Sequence, residues 1–350
     1  MLLEAGLKRS NDDKAARRWG PGGILGNATT YVSYEAWVKR IGFLFFSVWL
    51  VFALYYVSSS STGSSVTMDA GADADTAMNA NTMGTYENAF PEETNFIVIG
   101  DFGTGSADQI YEHGISSSSD PVLKTRFEKM YDHPDLNVPW YITIGNHDCE
   151  GSIDAMLAYA GLKDSKWYFP QRYYSIDRPV APKTILRIVV VDACDLVCGH
   201  EPRNFRCHEP MNAQTSEVTR LEQYRWIDDV LSAGKPEGVD HMWTIVVGHW
   251  GIYSYAGNAH TKELIDSLDP LLNKHNVHAY FNGHDHCMQH IKRLDPSSGR
   301  ARNYFARANA DLVHAAMTHG FMWVKVTKTL FQVQFIDKAG EILYTTEVQY

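Results

Sequence analysis

The chain has 350 residues, 45% hydrophobic and 21% charged, enough to bury one large core or two small ones, and its formal net charge is -10. That acidic balance, without a dense Lys/Arg cluster, excludes nucleic acid as the expected partner, because phosphate backbones are bound by concentrated cationic side chains. Five cysteines without a C-x-x-C pair exclude both a disulfide scaffold and a structural zinc site of the usual spacing.

Residues 1–40 lead into an uncharged run rich in aromatic and branched residues, Ile41 to Val57 (IGFLFFSVWLVFALYYV). About 17 to 25 such residues cross a bilayer. The run is apolar all round, which disfavours a surface-packed core helix, and forty residues precede it, which disfavours a cleaved signal peptide. Lys39 and Arg40 stand at its start and no Lys or Arg follows until Lys124, so the positive-inside rule predicts an uncleaved signal anchor. The expected topology is single-pass type II, with residues 1–40 cytosolic, the lipid bilayer around 41–57, and everything beyond luminal or extracellular. The Asn27-Ala28-Thr29 acceptor then lies on the cytosolic side and is expected to carry no glycan. Residues 58–94, made largely of Ser, Thr, Ala, Asn, Gly and Met with scattered acids, cannot build a core and read as a flexible linker.

From Asn95 onward strands and helices alternate. Phe96–Ile99 reads as a strand, and Asp120-Pro121 caps and opens a helix through about Tyr131. Trp140–Ile144 and Ile185–Val191 are further apolar runs. Glu217–Ser232 repeats at helical spacing before Gly234. Strands follow at Trp243–Val247 and Ala279–Phe281, separated by a helix near Lys262–Asn273. The chain closes as a β-meander: Phe321–Val326, Phe331–Asp337, a Lys338-Ala339-Gly340 turn, and Ile342–Tyr344. Residues 95–350 therefore form one mixed α/β domain with two packed sheets.

Four of these strands end alike. FIVIG-Asp101, YITIG-Asn146-His147-Asp148, IVVG-His249 and AYFNG-His284-Asp285-His286 each run from apolar residues through glycine to a metal-type donor. In α/β sheets chemistry collects beyond the carboxyl ends of the strands, where glycine lets the chain turn sharply. One such exit is usually an ordinary hydrogen-bonded loop. Four that deliver Asp, Asn, His and a His-x-His pair suit first-row metals and point to a metal-centred hydrolase. Cys198 and Cys207 flank a short polar loop that a disulfide would close, two free buried thiols being the alternative. Cys149 and Cys287 each directly follow a ligand loop, an arrangement that would let the fold bring them together, although sequence does not fix the distance.

The motifs GDFG, GNHD, VGHW and GHDH, in this order and with their flanks YEHGI, DPVLKTRFEKMY, VPWYITIGNHD and NGHDHCMQHI, resemble the calcineurin-like metallophosphoesterases, and within them the purple or tartrate-resistant acid phosphatases. The resemblance runs from about Asn95 to the C-terminus. It implies an α/β fold, a four-layer α/β/β/α sandwich, and hydrolysis of small phosphate monoesters by a metal-bound hydroxide at a binuclear site. That site would hold Fe(III) and a divalent Fe, Zn or Mn. By the same resemblance Asp101, Tyr111 and His286 would bind iron, and Asn146, His249 and His284 the divalent ion. His147 would position phosphate and protonate the leaving alkoxide. His260, in Gly257-Asn258-Ala259-His260-Thr261, is a candidate phosphate contact, a surface-loop histidine being the other reading.

The chain departs from that family in one important place. The family carries a G-D-x-x-Y strand end whose Asp bridges both metals, whereas here nine residues separate Asp101 from Tyr111, and a crossover between parallel strands needs about a dozen or more. Asp108 stands three residues before Tyr111 and mimics the spacing, but GSADQI more resembles the start of the family's first helix, so a substitute bridging role is the lesser reading. A second departure lies near the C-terminus, where YFARANADLVHAAMTHGF runs straight on in place of a Gly/Ser-rich turn. Two alternatives to an active phosphatase follow: a folded but catalytically impaired relative acting as a binding module, and a chain that folds poorly because a lost interior strand leaves an unpaired edge.

Overall fold

The computed structural model describes residues 93–100, 113–202, 204, 206–207, 209–293 and 310–350, all within one compact unit. The expected membrane span at 41–57 and nearly all of the linker lie outside them. Among the described residues no helix is long and apolar enough to cross a membrane.

Two four-stranded sheets carry the architecture. Strand β1 (Glu93–Val98) opens the chain's first sheet. It is followed by a short helix α1 (Pro121–Leu123), β2 (Trp140–Tyr141), α2 (Asn146–Glu150), α3 (Ile153–Ala160) and β3 (Trp167–Tyr168). Next come β4 (Tyr174–Ala181), β5 (Thr184–Val190), α4 (Ala193–Cys198), α5 (Glu209–Asn212), α6 (Glu217–Ser232), β6 (His241–Val247), α7 (Lys262–Lys274) and β7 (Ala279–Phe281). The last part is all strand: β8 (Met288–Arg293), β9 (Ala310–Ala316), β10 (Gly320–Thr327), β11 (Leu330–Asp337) and β12 (Ile342–Gln349).

The mixed sheet has the order β4-β5-β6-β7, with β4 antiparallel and the other three parallel. Every residue of β5 (TILRIVV) is buried, as expected for a strand covered on both faces. The other sheet, β1-β10-β11-β12, is antiparallel throughout. In β10 and β11 burial alternates, with Met322, Val324, Val326, Phe331, Val333 and Phe335 turned inward, which is the period of a one-sided strand. The two sheets meet across Trp243 of β6. Its ring lies 5.7 Å from that of Phe331 on β11, and its Nε1 donates to the Thr327 carbonyl at 2.9 Å.

Helices α4, α6 and α7 pack against one another. Helix α6 starts where Ser216 caps it by accepting from Thr219 N, and Arg187 of β5, paired bidentately with Asp177 of β4, donates at its other end to the Ala233 carbonyl at 2.5 Å. On α7 the four-residue spacing of Leu264, Leu268 and Leu272 puts three buried leucines on one face.

Several elements differ from their sequence reading, three of them for reasons visible in the structure. The helix expected from Asp120 to Tyr131 begins as expected, with Asp120 accepting from Val122 N and Pro121 in the first turn, but passes after Leu123 into a π-helical turn, Lys124–Glu128. Thr125 explains the change, since its hydroxyl donates back to the Pro121 and Val122 carbonyls. The strand expected to Ile144 is regular only over Trp140–Tyr141, because the chain must turn into Asn146. Strand β4 escapes the sequence pattern altogether: Asp177, Arg178 and Pro179 interrupt its alternation, and the register shifts beside Pro179.

The cysteines also require a correction. Cys149 is bonded to Cys194, with a Cα–Cα distance of 6.6 Å, and not to Cys287, which is a buried free thiol. The exits of β2 and β5 lie side by side, as the 3.0 Å hydrogen bond from Thr143 Oγ1 to the Val191 carbonyl records, so Cys149 meets the first turn of α4. The loop between Cys198 and Cys207 is closed by a disulfide.

Candidate metal centre

Three strand exits converge. After β2, Ile142 and Ile144 are buried and Gly145 N donates to Asp148 Oδ2 at 2.9 Å, a capping contact that turns the chain and makes Asn146 the first residue of α2. After β6, Gly248 N donates to the Phe281 carbonyl at 2.9 Å. A Cβ on Gly248 would stand 2.5 Å from the Tyr280 hydroxyl, so glycine lets β6 deliver His249 beside β7 without displacing the Tyr280 ring. After β7, Gly283 N donates to the His249 carbonyl at 2.8 Å, and His284 takes a left-handed backbone with φ 73°.

The result is a compact donor set. Asn146 Oδ1 lies 2.8 Å from His249 Nε2 and 3.1 Å from His284 Nδ1. The two imidazoles stand edge to face at 5.3 Å between centroids, and Trp250 lies against both, at 5.2 Å and 5.3 Å. Burial pushes the His249 imidazole well below its ordinary range, with the neighbouring His284 and His147 adding to the effect. Burial, then the charges of His286, Arg206 and His147, lowers His284 to about 4. Both rings are therefore neutral near neutral pH, each with a lone pair to give. One amide oxygen with two neutral imidazole nitrogens gathered around it is a donor set that suits a divalent first-row ion. Among the described residues no group of three or more His, Cys, Asp or Glu comes together in this way; the convergence depends on the asparagine.

The turn that carries Asn146 and His147 is held from several sides. Besides the Cys149–Cys194 bond, the Gln214 side chain donates to the Cys149 and Gly151 carbonyls and accepts from Ile153 N. Arg172 in turn holds the Gln214 carbonyl at 2.8 Å and buried Asp192 at 2.7 Å. The His284 turn is fixed through buried Asp285, which accepts from Gln289 Nε2 at 2.7 Å and Asn258 N at 3.0 Å, while Asn258 Nδ2 donates to the His284 carbonyl.

The remaining predicted residues fall differently. His147 is half-buried on α2. His286 is half-buried with φ 52°; among the described contacts it neither bonds nor stacks with the trio, although its charge acts on both His249 and His284. His260 accepts from Ser254 N at 3.0 Å and lies edge-on to Tyr253 and Tyr255, a setting that fixes its ring in the loop. Asp101, Asp108 and Tyr111 lie outside the described residues. Sequence reasoning passed over Asp285, inside the G-H-D-H motif itself, and Trp250, directly after His249. For Gln214 no sequence signal exists, since its role arises only from folding.

The calcineurin-like phosphoesterase family matches residues 75–288. Purple acid phosphatase 4 of Arabidopsis thaliana is 31% identical over 264 residues, covering 72% of this chain and 73% of its own. The tartrate-resistant acid phosphatase type 5 of Sus scrofa is 29% identical over 272 residues, covering 71% and 75%. Among solved structures, the protein described as "GAP50 the anchor in the inner membrane complex of Plasmodium" superposes with a TM-score of 0.57 at 19% identity, over 73% of this chain and 89% of that one; this is a likeness of fold.

Proposed function

The chain belongs to the calcineurin-like phosphoesterase family, and from that premise we propose that it is an acid phosphatase hydrolysing small phosphate monoesters at a two-metal site. The observation that carries the reading is that His249 Nε2 and His284 Nδ1 lie 2.8 and 3.1 Å from one atom, Asn146 Oδ1. In this reading the three hold a divalent Fe, Zn or Mn, while Asp101, Tyr111 and His286 hold Fe(III). The metal pair, when bound, supplies positive charge for the phosphate and acidifies a water nucleophile.

The chain's own residues supply the rest. His284, lowered to about 4, keeps its lone pair in mildly acidic solution. His147, one residue after Asn146, orients the ester and gives its proton to the departing oxygen. His260 stays a candidate phosphate contact, and Asp108 a lesser candidate for the bridging carboxylate. The apolar run at 41–57 supports a type II signal anchor that sets the catalytic domain on the luminal or extracellular side. The net charge of -10 speaks against nucleic acid as substrate or partner.

A second reading, a catalytically impaired binding module, is favoured by one observation: nine residues between Asp101 and Tyr111 leave no room for the strand that brings the bridging Asp in the resembling family. The structural likeness to a protein described as an anchor is compatible with it. Hydrolysis of an aryl phosphate at mildly acidic pH by the purified chain separates the two. Turnover abolished in a His284→Ala, His286→Ala double variant supports the phosphatase; turnover no higher than that of the double variant supports the binding module.

A further inference from the structure

Helix α2 holds a third ionisable group beside His147. Glu150, one helical turn later, has a side chain only 7% exposed, and its carboxylate lies between two imidazoles: Oε2 is 2.6 Å from His113 Nδ1, and Oε1 is 3.9 Å from His147 Nδ1. Residues three apart on a helix share a face, so the spacing alone turns the carboxylate toward His147.

The contact with His113 is built into the backbone. Gly114, at φ 64°, lies so close to α2 that a Cβ there would stand 2.9 Å from the His147 and Asp148 carbonyl oxygens. On the other side of the crossing, a Cβ on Gly151 would stand 2.7 Å from the His113 carbonyl. Ser152 N donates to the Ile115 carbonyl at 2.7 Å. Two glycines thus let segment 113–115 lie directly on the turn that carries Asn146 and His147, and the His113–Glu150 pair closes the crossing at its outer end.

We infer that Glu150, held by His113, is a positioning residue that fixes the His147 ring with Nδ1 toward the carboxylate and Nε2 toward the substrate. The inference rests on the phosphatase reading, since it takes His147 as the proton donor. In the step concerned, the water oxygen bonds to phosphorus and stays there as P–OH, its other proton passing to solvent; the ester P–O bond breaks, the departing oxygen takes the Nε2 proton and leaves as the alcohol, and the ring regains a proton from solvent. A ring free to rotate would present Nε2 to the leaving oxygen for only part of the time.

Such a role has a signature that general damage lacks. A nitrophenolate leaves without help, whereas an alkoxide needs the proton. In the full chain, Glu150→Gln should lower kcat for 2-glycerophosphate about 10-fold or more and for 4-nitrophenyl phosphate by less than about 3-fold, with both KM values within about 2-fold, because proton donation contributes on the order of 10²–10⁴ when intact. His113→Gln should act in the same direction, less strongly. Equal losses on the two esters, or none, would overturn the inference. A crystal structure of Glu150→Gln gives a readout independent of turnover: a His147 ring turned from its place supports the positioning role, and an unmoved ring overturns it. If the wild-type chain cleaves neither ester, the phosphatase reading fails, and that structure alone decides the role of Glu150.

Discussion

The mixed sheet and the antiparallel sheet differ in the support they give to the chain that leaves their strands. From the mixed sheet, β6 and β7 hand over His249 and His284 through glycines that hydrogen-bond one exit to the next, and the neighbouring exit that carries Asn146 is tied to α4 by the Cys149–Cys194 bond. From the antiparallel sheet, β1 leads toward Asp101, but β1 is the last strand of its sheet and pairs only with β10 among the described residues. The exits proposed to hold a divalent ion are thus tied by backbone hydrogen bonds and a disulfide, and this bracing rather than strand position sets them apart, since β7, like β1, lies at the edge of its sheet. Metal sites need ligands held by packed elements, so the divalent position is expected to be the more robust of the two.

Substitution at the donors themselves should have the largest effect and tests the contrast directly. His249→Ala is expected to reduce aryl phosphate turnover by roughly 100-fold or more, because in the proposed mechanism the hydrolysis depends on a bound ion. Asp101→Ala should abolish any broad visible band from an iron–Tyr111 pair along with turnover, while Asp108→Ala should leave both within about 2-fold of wild type if the site does not recruit a substitute bridge. A large loss in Asp108→Ala would mean that the weaker side has rebuilt its bridge.

Next in size is the brace. Replacing Cys149 and Cys194 by Ser opens a loop with a sequence separation of 45, which loop-closure entropy values at about 4 kcal/mol. The Cys198–Cys207 loop, with a separation of 9, is worth about 2.6 kcal/mol by the same relation. Chemical denaturation of the two double variants should rank them in that order; the reverse ranking would remove the brace from the account.

A smaller effect comes from acid. Burial lowers the imidazoles of His249 and His284, the latter from 6.5 to about 4, so the unfolded chain binds protons that the folded one refuses. Their contribution to stability is intact above about 6.5 and is lost as pH falls from there through about 4. The melting temperature of chelator-treated protein should decline across that window, and His284→Asn should flatten the decline. Metal-loaded protein should hold its melting temperature to lower pH, because a bound ion competes with the proton. An equal decline in all three samples would assign the acid sensitivity elsewhere. The smallest effect is local to the chain between the sheets: Asp120→Ala removes the cap of α1 and should cost about 1 kcal/mol without altering metal content.

Much of this was legible in the sequence. Helix α6 has its expected bounds, and β10 and β11 follow the alternation closely, because each buries a regular face whose period survives in the residues. Asn146, His249 and His284 were legible because each follows an apolar run and a glycine. Strand β4 was not, since Arg178 and Pro179 break its pattern while its partner β5 supplies the order. The Cys149–Cys194 bond and the Gln214 clamp were hidden for a different reason: both join segments far apart in the chain, and such contacts leave no local period to read.

The most direct measurement is the metal content of the purified chain after dialysis, beside that of the His249→Ala, His284→Ala double variant. The account predicts that the wild type retains divalent Fe, Zn or Mn and that the double variant loses about one equivalent of it per chain, as the loss of two of three protein donors requires. An unchanged divalent metal content in the double variant would contradict the assignment of Asn146, His249 and His284 as the site that holds it.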